Sequence, residues 1–331
     1  MIRPSNGIDM KPPTVSVVMS VYNAGRYLRD SVESVLRQSF GDFEFLIVND
    51  GSTDGSREIL AEYERQDGRI RVIDQENTGL TMALIRGCGE ARGRYIARQD
   101  ADDLSHHHRL AEQAALLERD PAVGFVSCWA QYIGPEGELL EKVTRPADPQ
   151  EATRLLLDER QGPPAHGSVM FRASAYHELG GYRRQFYYAQ DSDLWLRMAE
   201  RVCIAYVPEV LYQYRREMDS VSGQYRPVQM EFGVLGQQCR AARRDGRCEE
   251  PYLKRAGDLA EQIRLDRRNG TSNGSRGTQM AYLIGSRLAR QGDRRAARYL
   301  WQVLCHRPWH WRAWVRLVQS QATRRKPAEH V

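Results

Sequence analysis

Four apolar runs separated by three helical patterns fill residues 14–98, and this alternation leaves few folds open. Residues 14–21 are rich in Val and stop at Tyr22-Asn23-Ala24-Gly25. Leu28, Val32, Val35 and Leu36 then recur at helical spacing up to Phe40. A second run, 43–48 (FEFLIV), breaks at Asn49-Asp50-Gly51-Ser52-Thr53-Asp54. There Ser52 or Asp54 can cap a helix that carries Ile59, Leu60 and Tyr63. Residues 70–73 read as a third strand, 80–91 as a helix and 95–98 as a fourth strand. A β-α-β-α-β-α-β order builds a parallel, doubly wound α/β sheet. Ligands of such sheets sit beyond the carboxyl ends of the strands. The polar clusters Tyr22-Asn23, 49–54 and 100–103 all fall on that rim.

Asp100-Ala101-Asp102-Asp103 follows the fourth run directly. If the chain stays extended, side chains alternate, and Asp100 and Asp102 share one side. Two carboxylates aimed at one point suit Mg²⁺ or Mn²⁺ holding a diphosphate. The same residues also serve solvated turns and helix caps, and the shared rim is what favours a site. A G-x-G-x-x-G after the first strand and a G-x-x-x-x-G-K-[ST] are both missing, which argues against a dinucleotide fold and a P-loop. A diphosphate without a glycine cradle needs another source of positive charge, and a divalent ion supplies it. Asp50 can accept from a base N–H and Tyr22 offers a stacking face, although either can be structural.

At 331 residues, 41% hydrophobic and 27% charged, the chain has the composition of a soluble globular protein of one large or two ordinary domains. No run approaches the roughly 18 apolar residues that span a bilayer, and residues 1–13 lack the apolar core of a signal peptide. The six cysteines contain no C-x-x-C pair and read as reduced thiols, so a cytoplasmic location is expected. Charge is divided unevenly: residues 226–331 carry 22 Lys+Arg against 9 Asp+Glu, the first 225 carry 26 against 34. Residues 228–244, 252–268 and 279–291 have helical period, and 268–277 (RNGTSNGSRG) reads as a loop. A short helix over 294–305 and a Trp-rich one over 309–318 complete the tail. Trp309, Trp311 and Trp314 lie among Arg307, Arg312 and Arg316, a pattern that can rest on the anionic inner face of a membrane. The alternative is that these tryptophans pack the helices onto the rest of the chain. His106-His107-His108 cannot all face one ion from a helix and read as a solvated helix start.

The motifs VSVVMSVYN (15–23), VNDGSTD (48–54), ENTGL (76–80) and YIARQDADD (95–103) resemble glycosyltransferase family 2 in order and spacing. HGSVMFR (166–172), GGYR (180–183), QDSDLWLRMAE (190–200) and YRREMDSVS (214–222) extend the likeness over roughly residues 13–223, most closely to the bacterial branch that builds O-antigens and exopolysaccharides. The resemblance implies a GT-A fold with a nucleotide-sugar-binding, catalytic domain over 13–223 and a basic α-helical region over 224–331. Tyr22, Asn23, Asp50 and Asp54 would hold the nucleoside, with Arg98 near the diphosphate. Asp100 and Asp102 would hold Mn²⁺ or Mg²⁺, supported by Asp103, and Asp191 would be the catalytic base. His166, Gln190, Asp193 and Trp195 would face the acceptor.

Three positions depart from the family pattern. Gln190 replaces a usual Glu, Ile85 stands where Asn is common, and Glu217 takes the place of a frequent His. If that His binds the metal in relatives, Glu217 must ligate through oxygen or a ligand is lost. Simple N-capping is the alternative for Asp191 and Asp193, packing for Trp195 and a structural hydrogen bond for His166. Asp191 heads a helical pattern, whose N-terminus is expected to keep it ionised.

The implied activity is inverting, metal-dependent transfer from a nucleotide donor, a UDP-sugar, to a glycan or lipid-linked saccharide. A sugar nucleotidyltransferase shares the sheet and acidic site, but opens with a Gly-rich loop where this chain reads SVYNAGRYL. A nucleic-acid-binding protein would use the Arg-rich tail, but the acidic first part and the lack of an aromatic strand platform argue for no nucleic acid partner.

Overall fold

The computed structural model describes residues 11–217, 226–268 and 277–322. Residues 1–10, the 218–222 end of the last motif and residues 269–276 of the expected 268–277 loop lie outside them. The chain opens with β1 (Val15–Val21), α1 (Gly25–Leu36), β2 (Phe43–Asp50), α2 (Ser56–Gln66), β3 (Ile70–Gln75), α3 (Leu80–Gly89) and β4 (Tyr95–Asp100). These strands pair in parallel in the order β3-β2-β1-β4. Period-two alternation divides β1, β2 and β4 between two cores. Val15, Val17, Met19 and Val21 meet Leu28, Val32 and Val35 of α1 and Leu60 of α2. Val18 and Leu46 meet Leu84 and Cys88 of α3 on the other face. Strands covered on both faces read as nearly continuous apolar runs, which explains their legibility.

The rest of the sheet is mixed. It contains β5 (Leu104–Ser105), β6 (Val123–Ile133), β7 (Leu139–Val143), β8 (Met170–Arg172) and β9 (Cys203–Arg215). Their helices are α4 (Arg109–Arg119), α5 (Pro149–Glu159), α6 (Ala173–Glu178) and α7 (Gln190–Ala199). β8 runs antiparallel to both β4 and β6, and β9 lies parallel to β6. The full order is β3-β2-β1-β4-β8-β6-β9-β5, with β7 on β6. The short β8 follows a 3₁₀ turn, His166–Ser168, that crosses the end of β4.

One local expectation is corrected. Strand β4 runs on to Asp100, and Ala101 and Asp102 then form a turn in which the Asp103 amide reaches the Asp100 carbonyl at 3.3 Å. Asp100 and Asp102 are therefore brought near each other by a turn rather than by strand alternation.

The region beyond residue 224 forms two helical groups with separate cores. Helices α8 (Arg226–Arg244) and α9 (Glu250–Arg268) join Phe186 and Tyr188 through Phe232, Leu235, Cys239 and Ala256. Helices α10 (Gly277–Arg290), α11 (Ala296–His306) and α12 (Trp311–Ala322) enclose Ile284, Leu288, Tyr299, Leu300, Val303 and Leu317 and sit on Leu140 of β7. The Tyr299 hydroxyl donates to the buried Glu138 Oε1 at 2.7 Å, and Gln291 Nε2 to the Leu140 carbonyl at 2.7 Å. The tryptophans do not pack this region onto the rest of the chain: Trp309, Trp311 and Trp314 are 90%, 66% and 43% exposed. All six cysteines are free, and Cys88, Cys128 and Cys239 are buried core residues. No helix among the described residues is long and apolar enough to cross a membrane.

Removing the Tyr299 hydroxyl takes a donor from a buried carboxylate, a change worth about 1.5–3 kcal/mol. Tyr299→Phe is expected to lower the urea midpoint of the full chain accordingly. An unchanged midpoint would show that this contact does not hold the C-terminal helices.

Candidate active site

The rim opens with two loops that bind each other. Asn23 adopts positive φ (52°), its Oδ1 accepts the Thr53 amide at 2.8 Å, and its own amide reaches Ser52 Oγ at 3.1 Å. Asp54 Oδ2 accepts from Gly25 N at 2.9 Å, and Oδ1 from Ser56 N and Oγ at 3.1 and 2.6 Å. Burial pushes this carboxyl up, but those Ser56 and Gly25 hydrogen bonds outweigh it and hold it below its ordinary value. Asp50 is buried at the end of β2, where Oδ1 accepts from Gln75 Nε2 and Thr78 N at 2.8 and 2.9 Å, and Oδ2 from Gly79 N at 2.8 Å. With the Thr78 hydroxyl at 3.2 Å, these donors occupy most of what one carboxylate can accept. Tyr22 is 52% exposed and presents a free ring on this rim.

Arg98 requires a correction. Its side chain has no exposure, and its guanidinium is consumed below the rim rather than offered to a diphosphate. Nη2 donates to Asp100 Oδ1 at 2.9 Å, Nη1 to the carbonyls of Val18 and Gln99, and Nε to His166 Nε2 at 3.4 Å. Asp100 Oδ2 accepts from Gly167 N at 3.1 Å. A Cβ on Gly167 would lie 1.9 Å from the Tyr212 hydroxyl and 2.9 Å from Asp100 N, so only glycine fits there. Arg98, Gly167 and Tyr212 thus position Asp100. Gly167 lies within the HGSVMFR motif, whereas nothing in the sequence marked Tyr212.

Asp102, Asp103 and Glu217 complete a crowded acidic turn. Burial, then the charges of Asp100 and Glu217, push the Asp102 carboxyl up to about 7. Burial, then the charges of Asp102 and Asp100, raise Asp103 as well. Asp103 Oδ1 accepts the Arg215 amide at 2.7 Å, while Oδ2 is buried with no hydrogen-bond partner among the described residues. Arg215 Nε also donates to the Asp102 carbonyl at 2.9 Å. This arginine sits in the YRREM motif but was not singled out there. An all-oxygen, mutually repelling set with an orphaned oxygen fits a hard divalent cation. No three His, Cys, Asp or Glu residues among those described form a ready metal cluster. The three histidines 106–108 lie exposed on the adjoining turn, as expected of a solvated helix start.

Asp191 opens α7 behind Ala189, whose φ of 53° is unfavourable for a residue with a Cβ. The preceding segment crosses the Asp50 loop: Thr81 Oγ1 donates to the Phe186 carbonyl at 2.7 Å, and Tyr187 covers Gly79. Burial raises the Asp191 carboxyl, and the Asp100 charge adds to it. The Ser192 amide at 2.8 Å pulls the other way but does not prevail. The helix terminus therefore does not dominate, contrary to expectation. Asp191 borders a cavity of about 310 Å³ between α7, α8 and the 160–163 segment.

Two acceptor-side assignments are also corrected. The Asp193 side chain is turned inward, against Arg197 Nε at 3.0 Å and Arg183 Nη1 at 3.5 Å, and is almost fully buried. Trp195 is a core residue stacked on Phe125 (5.5 Å, 12°), with only its edge near His166 at 5.9 Å. Gln190 is buried in the first turn of α7. His166 is held well below its ordinary pKa by burial and then by the Arg98 charge, and its Nε2 lies 2.7 Å from the Tyr182 hydroxyl. Because Arg98 only donates, Nε2 is an acceptor and the ring proton is assigned to Nδ1.

Residues 16–180 match the model of glycosyl transferase family 2. The Bacillus subtilis protein EpsE, named as a glycosyltransferase, is 37% identical over 217 residues, covering 63% of this chain and 75% of EpsE. Staphylococcus aureus TarS in complex with UDP-GlcNAc superposes with a TM-score of 0.55 at 16% identity, over 94% of this chain and 90% of that one. The mannosyltransferase PcManGT of Pyrobaculum calidifontis, in complex with GDP-Man and Mn²⁺, gives 0.54 at 20% identity, over 96% and 89%. The chain belongs to glycosyltransferase family 2, has the GT-A type of mixed, mostly parallel sheet and is a glycosyltransferase.

Breaking a buried ion pair from one side costs about 3–5 kcal/mol. Arg98→Met is therefore expected to destabilise the chain by about that much, read as a fall in urea midpoint. A variant of wild-type stability that had lost only donor affinity would return Arg98 to the diphosphate.

Proposed function

We propose that this glycosyltransferase moves a sugar from a uridine diphosphate donor to a hydroxyl of a glycan or lipid-linked saccharide, with inversion and with Mn²⁺ or Mg²⁺. The observation that carries the reading is the half-buried carboxylate of Asp191, which borders a cavity and feels the charge of Asp100. The UDP-GlcNAc complex of TarS supports a uridine donor, and the Mn²⁺ complex of PcManGT supports the cation. Tyr22 would stack on the base, while Asn23, Asp50 and Asp54 would hold the loops that shape its pocket.

Asp100 and Asp102 would hold the cation, with Asp103 behind them and Glu217 beside them. When bound, the ion offsets charge on the departing diphosphate. Asp191 takes the proton of the acceptor hydroxyl as that oxygen bonds to the anomeric carbon. The bond from that carbon to the diphosphate breaks, and the leaving oxygen keeps the electron pair. One carboxylate suffices, because no sugar–enzyme bond forms. A raised Asp191 is a stronger base than an ordinary carboxylate. His166 would offer its Nδ1–H on the acceptor side.

Release of nucleoside diphosphate from a panel of nucleotide sugars, with and without Mn²⁺, tests the reading. Turnover with one uridine donor and Mn²⁺ is expected, and no release from any donor would overturn it. Asp191→Asn is expected to lower turnover roughly 10²–10⁴-fold with donor affinity nearly unchanged. In the wild type the base must be unprotonated, so activity should fall as pH drops through a point above the ordinary carboxylate range. Equal losses in donor binding and turnover would make Asp191 structural.

Asp102→Ala should abolish Mn²⁺-dependent donor binding, measured by calorimetry, while the chain stays folded. Undiminished metal-dependent binding would remove Asp102 from the ligand set.

A further inference from the structure

We propose that the outward face of α11 and α12 is a docking surface for an anionic phospholipid membrane. This inference rests on the reading that the acceptor is lipid-linked, and it names where the enzyme meets that acceptor's membrane. Helix α12 is apolar on both sides. Ala313 and Leu317 face the three-helix core, while Trp311, Trp314, Val315 and Val318 face solvent with 66%, 43%, 45% and 63% exposure. Trp301 of α11 is 50% exposed and meets the Trp314 ring edge-on at 5.7 Å, and Trp309 between the helices is 90% exposed. Soluble surfaces seldom gather large apolar side chains in this way without a partner.

The charges around the patch select the partner. Residues 292–322 hold six arginines and one acidic residue, Asp293. Asp293 is already paired with Arg295 at 2.7 Å. Arg294, Arg307 and Arg312 are exposed, and none has a carboxylate partner among the described residues. Indole rings prefer the headgroup level of a bilayer, and guanidinium groups beside them meet anionic lipid. Pairing with a second copy across a two-fold axis would instead set arginine against arginine.

The patch is tied to the catalytic rim through the β6–β7 turn. Arg215, which bonds Asp102 and Asp103, also donates from Nη1 to the carbonyls of Gly134 and Pro135 at 3.3 and 3.2 Å. In the same turn Glu138 accepts from Tyr299 of α11. Glu136 pairs with Arg26 at the head of α1 at 2.6 Å and lies 3.6 Å from Arg298 of α11. A membrane held by α11 and α12 would thus rest on an element that also braces the acidic turn.

The test is co-sedimentation of the full chain with vesicles of phosphatidylcholine alone or with phosphatidylglycerol added, at low and high salt. Binding should require the anionic lipid and weaken at about 1 M salt, where the Debye length is about 3 Å. Each arginine at the surface contributes roughly fivefold in partition, so Arg307→Gln with Arg312→Gln should lower it at least tenfold. Trp309→Ala with Trp311→Ala should also lower partition severalfold, without changing the urea midpoint, because both side chains are exposed.

Nucleoside diphosphate release is measured on the same samples. Indifference to anionic lipid with normal release would overturn the docking surface alone, whereas docking without release from any donor would overturn the transferase reading alone. Arginine-dependent binding of an oligonucleotide in place of vesicles, or a dimer lost in the tryptophan variant, would also overturn the membrane assignment.

Discussion

At the end of β4 a guanidinium with no access to water lies beneath a carboxylate that reaches the rim. Arg98 can hold that place only because Asp100, His166 and two backbone carbonyls take its protons. Asp100 in turn can stand at the rim in one orientation only, gripped by Arg98 on one oxygen and the Gly167 amide on the other. An unpaired charge in either position would carry a large desolvation cost. The pair therefore ties together β4, the 3₁₀ turn before β8 and the first carboxylate of the acidic turn. The mixed half of the sheet serves this end, since β8 beside β4 brings Gly167 over the strand.

The rest of the rim follows the same principle of internal satisfaction. Asn23, Asp50 and Asp54 each give their oxygens to a neighbouring loop, which fixes the conformation of the rim. The acidic turn departs from that principle: Asp103 Oδ2 is buried without a hydrogen-bond partner among the described residues, and burial and like charge raise Asp102 and Asp103. Asp191 follows the same pattern: it is half-buried, raised by desolvation and by the charge of Asp100. A cation and a diphosphate would relieve the first group, and an acceptor hydroxyl would give Asp191 its proton.

Much of this was legible in the sequence, and the reasons are physical. β1 and β2 are covered on both faces, so their residues form apolar runs bounded by polar turns. The motifs at their ends pointed to the family and to the acidic turn. β8 is only three residues long, and β9 contains Pro208 and shifts register against β6, so neither leaves a clear period. Arg98 and Asp193 were misplaced for a related reason: residue type and spacing cannot tell a charge offered to a ligand from one used by a buried partner. The tail reads the other way, because tryptophans that resemble core in sequence stand in solvent.

The stereochemistry of donor hydrolysis tests the account most directly, since it reports on the one-carboxylate displacement without requiring the acceptor to be known. Proton NMR at early times, before mutarotation, would follow the free sugar released from an α-linked uridine diphosphate donor in the presence of Mn²⁺. The account predicts that the β anomer appears first, with water taking the place of the acceptor hydroxyl beside Asp191. Initial release of the α anomer would contradict it.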